Sequence, residues 1–314
     1  MRSNLWVLAV VAVSTALSAQ EDQTDSGEWQ YYRGDPAGTN ASPLADITAE
    51  NIQRLRIAWE WQHGEKQLDE YQTYPGPFET QPLMVDGKLY VTTPYNNAAA
   101  LDPESGRELW RHDTGAYKLG TIPGSGFKHR GAALWRDAED NNKLRILVNT
   151  RNQLLSLDAQ TGQPVKSFGG DGAVSLTDGY SRPISDIRHV SVGSPPVVYK
   201  DIVIVGHAVP DRYQRPDEVP GIVQAFDART GERLWVFNLV PQSASDFGAD
   251  TWGDESWRTT GHANVWAPIT LDAERGLVYL PTSTPGSDYY GAQRPGGKSV
   301  RRVNRQSRCH DRRT

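Results

Sequence analysis

An all-β chain built from repeated four-stranded units is the fold this sequence predicts, on three observations. Short apolar segments with a period of two follow one another from residue 55 onward, and turn residues separate them. No long helical period appears after residue 56. One pattern, small-x-Asp-x-x-Ser/Thr-Gly-x-x-x-Trp, recurs in Ala100-Leu-Asp-Pro-Glu-Ser-Gly-Arg-Glu-Leu-Trp110, Ser156-Leu-Asp-Ala-Gln-Thr-Gly-Gln-Pro-Val-Lys166 and Ala225-Phe-Asp-Ala-Arg-Thr-Gly-Glu-Arg-Leu-Trp235. Asp and Gly punctuate a tight turn between strands, and Trp offers a flat surface that can stack on the next repeat. The second copy carries Lys166 in place of Trp, which predicts a weaker docking contact there. The Asp-to-Asp intervals are 56 and 69 residues, the size of solenoid or propeller units with inserted loops. Four-stranded units with aromatic docking favour the β-propeller. The chain holds three full units and part of a fourth, about 3.5 blades.

The elements follow in order. Arg2, the apolar run Leu5–Val13 and the small residues Ala16, Ser18 and Ala19 read as a secretory signal peptide over residues 1–19. Residues 20–61 form an N-terminal extension and a closing strand. Within it, Thr48–Leu55 reads as a short helix with Thr48 as N-cap, and Leu55–Trp61 alternates like a half-buried strand. Residues 62–297 carry the partial propeller. Pro82–Val91 is a hairpin about Asp86-Gly87. Leu144–Val148, Pro196–Tyr199, Ile202–Val205 and Leu277–Leu280 are short strands. Leu271-Asp-Ala-Glu-Arg-Gly276 imitates the repeat but lacks its Trp, and reads as a first-to-second-strand turn.

Composition narrows the function classes. The chain is 37% apolar and 23% charged, with negative mean hydropathy, which excludes an integral membrane protein and predicts no transmembrane segment. The whole chain holds 33 basic and 38 acidic residues; residues 294–314 hold eight and one of these. That leaves 25 and 37 in residues 1–293, an acidic body that argues against nucleic acid as a partner. Cys309 is the one cysteine, so no internal disulfide forms. Residues 298–314 form a basic tail with no strand period, expected to be aberrant, the product of a shifted reading frame or a gene-model error; the alternative is a native basic tail that binds an anionic surface. No His-x-x-x-His, Gly-x-Ser-x-Gly, Rossmann or Cys-x-x-Cys-His pattern is present to suggest a zinc enzyme, a hydrolase, a nicotinamide enzyme or a c-type haem.

The docking repeat resembles that of the quinoprotein dehydrogenases, closest to the glucose dehydrogenase branch, over residues 29–297. The matching segments are Gly34-Asp-Pro-Ala-Gly-Thr39, Phe78-Glu-Thr-Gln-Pro82, His129-Arg-Gly-Ala-Ala133, Gly261-His-Ala-Asn-Val-Trp-Ala-Pro268 and Leu280-Pro-Thr-Ser-Thr-Pro285. The resemblance implies eight blades around a funnel, with this chain as the N-terminal half. It implies pyrroloquinoline quinone near the axis, bridged to the protein by calcium or magnesium. The implied chemistry is oxidation of an aldose such as glucose, or of an alcohol, with a quinone or cytochrome as the onward acceptor, in a periplasmic or secreted protein.

Residue by residue, the resemblance gives Glu79, Arg130, His207 and Trp266 to the quinone. Arg130 suits a ligand with three carboxylates, because its planar fork bonds them in pairs. Gly131 lets the backbone come close. Lys128 and His129 thicken the positive patch. The indole of Trp266 is a flat support for a flat ring system. Asp211 and Thr284 are the expected metal ligands, because oxygen donors suit calcium or magnesium. Arg212 stands where relatives often carry an amide. No catalytic residue is assigned within the chain: the family's proton-accepting carboxylate lies beyond residue 300. The rival reading is a cofactor-free eight-bladed propeller that scaffolds envelope protein assembly.

Overall fold

The structure, a computed structural model, describes residues 27–123, 126–209, 219–286, 290–292 and 294–297, and the backbone of 305–308. Three antiparallel four-stranded sheets follow one another. The first contains β1 (Leu83–Val85), β2 (Lys88–Thr92), β3 (Ala98–Leu101) and β4 (Glu108–His112), hydrogen-bonded in that order. The second contains β5 (Ala133–Asp137), β6 (Lys143–Asn149), β7 (Gln153–Asp158) and β8 (Ala173–Ser175). The third contains β9 (Val197–Tyr199), β10 (Ile202–Gly206), β11 (Ile222–Asp227) and β12 (Arg233–Asn238). A fourth sheet orders β13 (Thr270–Asp272), β14 (Leu277–Leu280) and β15 (Arg305–Arg308).

Each sheet meanders strand by strand, and the first strands lie side by side, with β9 against both β5 and β13. That is the blade geometry of a propeller, with the first strands innermost. Both faces of a middle blade are covered, so its strands read as nearly unbroken apolar runs. In the second sheet, Ile146 and Leu155 face the first-sheet residues Tyr90 and Ala100. The next residues on, Leu147, and back, Leu154, pack with Val203 and Phe226 of the third sheet. Successive side chains point to opposite faces of a strand, so one strand serves two interfaces.

The three docking turns close in the same way. The carboxylates of Asp102, Asp158 and Asp227 each accept from the backbone N–H and the hydroxyl of the residue three positions on, Ser105, Thr161 and Thr230. The following glycines, Gly106, Gly162 and Gly231, donate their N–H back to the Asp carbonyl at 2.8–2.9 Å. A Cβ on Gly106 or Gly162 would lie 2.4–2.5 Å from the indole of Trp59 or Trp110, so glycine is what lets each tryptophan lie flat on the turn. The indole N–H then donates to the carbonyl of Pro103 or Ala159.

The Asp86-Gly87 hairpin forms as expected, with both residues left-handed, and so does the turn at Leu271–Gly276, which joins β13 to β14. Three expectations change. Thr48–Leu55 is one 3-10 turn, Ile52–Arg54, because Ile52 and Leu55 have no surface to cover and stay more than half exposed. Leu55–Trp61 is extended but joins no ladder; Trp59 and Trp61 pack on Val91, Ala99 and Leu101 instead. Residues 305–308 of the tail pair with β14, since an edge strand offers backbone groups that bind a partner without regard to its side chains. The signal segment 1–19 and Asp211 lie outside the described residues. Among the described residues, no helix is long and apolar enough to cross a membrane.

Candidate functional site

The turn before each innermost strand occupies the same place in its blade. Glu79 lies four residues before β1, Arg130 three before β5, Gly193 and Ser194 four and three before β9, and Trp266 four before β13. Equivalent positions of successive blades meet at the axis, and these side chains touch. Arg130 Nη2 pairs with Glu79 Oε2 at 3.0 Å, and Arg130 Nη1 donates to the Gly193 carbonyl at 3.1 Å. The guanidinium carbon stands 5.6 Å from the centre of the Trp266 ring. Ser194 Oγ donates to the Trp266 carbonyl at 2.6 Å. Three of the four residues expected at the quinone therefore form one cluster, although they are 51 and 136 residues apart in sequence.

The support beneath Arg130 is rigid. A Cβ on Gly131 would lie 3.2 Å from the Gln81 carbonyl, at φ +147, so glycine lets the first blade's backbone come close here. The Gln81 N–H donates to the Arg130 carbonyl at 2.9 Å. His129 is fully buried between Thr92 Oγ1 (2.9 Å) and the Asn149 carbonyl (2.8 Å). Burial pulls its pKa down to about 4, against the opposing hydrogen bonds that it makes to Asn149. The carbonyl must accept, so Nε2 carries the proton and Nδ1 accepts, including from the Gly131 N–H. His129 is thus a neutral strut and adds nothing to the positive patch expected of it.

His207 was expected at the quinone, but the structure buries it completely in the third blade. Its Nδ1 meets Tyr180 Oη at 2.8 Å and its Nε2 accepts from Gln224 Nε2 at 3.0 Å, which leaves no ring nitrogen for a ligand. Burial pushes its pKa down to about 3. A histidine just after a buried strand is turned inward or outward by its neighbours, and here Tyr180 and Gln224 turn it inward. Thr284 is half-buried in the segment after β14.

Two contributors escaped the sequence reading. Gly193-Ser194 bridges Arg130 to Trp266; the signal was available, because Gly-Ser-Pro-Pro stands before β9 as Arg130-Gly131 stands before β5. Asn264 holds Val209 and Ser283 together: its Nδ2 donates to the Val209 carbonyl and its backbone N–H to Ser283 Oγ, both at 2.9 Å. Its Oδ1 is buried without a hydrogen-bond partner among the described residues. Among those residues, no three His, Cys, Asp or Glu side chains cluster to hold a metal.

The comparisons with known proteins fit this geometry. The model of a family of pyrroloquinoline-quinone proteins, described as the glucose/ethanol/alcohol dehydrogenase β-propeller domain, matches residues 29–301. The chain belongs to this family. The glycerol dehydrogenase large subunit of Gluconobacter oxydans is 32% identical over 86% of the chain and 36% of its own length. The quinoprotein glucose dehydrogenase of Escherichia coli is 29% identical over 89% of the chain and 34% of its own length. Among solved structures, the quinohemoprotein alcohol dehydrogenase of Comamonas testosteroni superposes with a TM-score of 0.66 at 26% identity, covering 86% of this chain and 38% of that one. The chain spans about a third of the length of the curated relatives it matches, less than the half that the family resemblance implies.

The residues present fit a flat, multiply carboxylated quinone. The Trp266 indole keeps 45% of its surface exposed, and a guanidinium and a carboxylate stand beside it. They also offer one oxygen to a hard cation, since Asn264 Oδ1 is buried without a hydrogen-bond partner among the described residues.

Proposed function

We propose that the chain is the quinone-holding part of a quinoprotein oxidoreductase that oxidises an aldose, such as glucose, or an alcohol. The observation that carries this reading is the Glu79–Arg130–Trp266 cluster at the axis. When bound, pyrroloquinoline quinone supplies a two-electron acceptor, and calcium or magnesium polarises its carbonyl. In this reading Arg130 binds a ring carboxylate and Trp266 supports the ring face. Glu79 holds Arg130 in place and bonds a polar edge of the ring. Asp211 and Thr284 supply oxygen ligands to the cation, and the unpartnered Asn264 Oδ1 is offered as a third. The proton-accepting carboxylate comes from outside residues 1–300, and electrons pass on to a quinone or cytochrome. Residues 1–19 direct export to the periplasm or beyond. A cofactor-free scaffold has no use for an arginine laid on a half-exposed indole at the axis.

The test is a titration of the chain with pyrroloquinoline quinone in calcium or magnesium, read by quenching of tryptophan fluorescence. Saturable quenching is expected, weakened at least about tenfold in Arg130→Ala and in Trp266→Ala, the loss of one charge-assisted pair or of one stacked ring. No saturable quenching, or binding by both variants as tight as by the wild type, overturns the reading. Dye reduction with aldoses and with alcohols, on the chain joined to the remaining blades of its family, then decides between the two substrate classes.

A further inference from the structure

The Gly34–Thr39 motif has no part in the cluster above, yet the segment that carries it, Trp29–Thr39, crosses the innermost strands of all four sheets. At one end, Trp29 exchanges two backbone hydrogen bonds with Met84 of β1, both 2.9 Å. At the other, the Pro36 carbonyl accepts from the Leu271 N–H of β13 at 2.8 Å, five residues after Trp266. Between these ends, Tyr31 to Gly38 lie over Ala132–Leu134 of the second blade and Pro195–Val198 of the third, leaving only a narrow crevice.

The segment is stiff. Asp35 Oδ1 accepts from the Thr39 N–H, the Thr39 hydroxyl bonds the same carboxylate, and the N–H groups of Gly34, Gly38 and Asn40 close three turns on Tyr31, Asp35 and Arg33. Arg33 is left-handed, at φ +67, an uncommon conformation for a residue with a Cβ. In that conformation its backbone N–H donates to Gln81 Oε1 at 2.6 Å. Gln81 in turn donates its own N–H to the Arg130 carbonyl and stands two residues after Glu79. The Tyr32 ring comes within 3.6 Å of where a Gly131 Cβ would lie.

We propose that Trp29–Thr39 is an axial strap and Gln81 its positioning residue: through the Arg33–Gln81–Arg130 chain of hydrogen bonds, the strap sets where the Arg130 guanidinium stands relative to Glu79 and Trp266. A strap fastened to β1 and β13 fixes the gap that the guanidinium must span. Gln81 carries that constraint to Arg130 without itself touching the ligand site. Its part in holding the quinone rests on the function proposed above; its part in placing Arg130 on Trp266 does not.

The experiment therefore has two arms on the 314-residue chain. The first needs no quinone. Acrylamide quenching of Trp266, taken as the difference between each protein and its Trp266→Phe partner, is compared in wild type, Gln81→Ala and Gln81→Glu. Gln81→Ala is expected to raise the Trp266 quenching constant about twofold, as the guanidinium leaves the ring. It should also speed amide exchange in the peptide that contains Arg33, with the melting temperature nearly unchanged. Gln81→Glu keeps an acceptor oxygen and is expected to restore both. Unchanged quenching in Gln81→Ala overturns the proposal, and so does a loss that Gln81→Glu fails to restore. The second arm measures quinone affinity in the same three proteins, where Gln81→Ala should bind at least about fivefold more weakly. Quinone binding equal in all three detaches the strap from the ligand site. If wild type binds no quinone while the first arm succeeds, the proposed function fails and the strap stands.

Discussion

The first and second blades meet through an indole, and the second and third meet through buried charge. At the first interface, Trp110 lies on Gly162 and donates its N–H to the Ala159 carbonyl at 3.0 Å. At the second, Lys166 stands exposed where the tryptophan would be, and Val174 and Phe168 cover Gly231 instead. Asp137, buried in the second blade, then accepts from Arg145 of its own sheet and from Arg229 Nε of the third-blade turn, the latter at 2.9 Å. Both guanidinium groups stand 5.0–5.5 Å from the Trp135 ring, whose indole N–H reaches Asp201 of the third blade. The docking turn is the same at both interfaces, because Asp, Ser/Thr and Gly close it locally. What lies on the turn is interchangeable, provided that it is flat or paired. The expectation of a weaker contact at Lys166 missed this substitute, because Asp137 and Arg145 belong to no repeat position.

Breaking the charged interface should have the largest effect. Asp137→Ala leaves the buried Arg145 guanidinium without its carboxylate and Arg229 with Glu139 alone, and should cost about 3–5 kcal/mol in urea unfolding, while the Trp110 contact stays intact. A loss below about 1 kcal/mol would show that Trp135 and the backbone hold the interface without the ion pair.

Acid separates the two interfaces at intermediate cost. Burial opposes ionisation of Asp137, but the hydrogen bond from Arg229 and the charges of Arg145 and Arg229 outweigh it and hold the carboxyl below its ordinary value. A depressed carboxylate contributes stability that is fully present above its unfolded pKa, about 4, and is lost as pH falls through the folded value. The melting temperature of wild type should therefore fall more steeply below pH ~4 than that of Asp137→Asn, whose baseline is lower but flatter. Parallel slopes would remove Asp137 from the acid response. The buried neutral His129 and His207 act higher, between their unfolded value near 6.5 and their folded values of about 4 and about 3.

The smallest effect sharpens the comparison. Lys166→Trp restores the repeat on paper, yet Val174 Cγ1 and Phe168 Cε1 lie 2.6 and 3.3 Å from where a Gly231 Cβ would be, so the docking surface is taken. The expected change in stability is within about 1 kcal/mol. A gain well beyond that, with loss of the indole's exposure, would show that the turn prefers tryptophan and that the ion pair is a poorer solution.

The amino-acid sequence by itself determined the strands, the hairpin at Asp86-Gly87 and the three Asp-Gly turns. These depend on side-chain alternation and on hydrogen bonds that close within a few residues. Through resemblance it also pointed to Glu79, Arg130 and Trp266, since each precedes an innermost strand that its own apolar pattern marks. Tertiary structure alone decided what depends on a neighbour. The inward turn of His207 follows from Tyr180 and Gln224, and the neutrality of His129 from Thr92 and Asn149. The melting of Thr48–Leu55 to a single turn follows from the lack of a surface to cover. The meeting of three residues up to 187 positions apart follows from blades that share an axis, and the strap that spans it ties the first sheet to the last. Local hydrogen bonds and strand period are written along the chain; burial, and with it charge state and contact, is set by whichever distant segment arrives to cover a side chain.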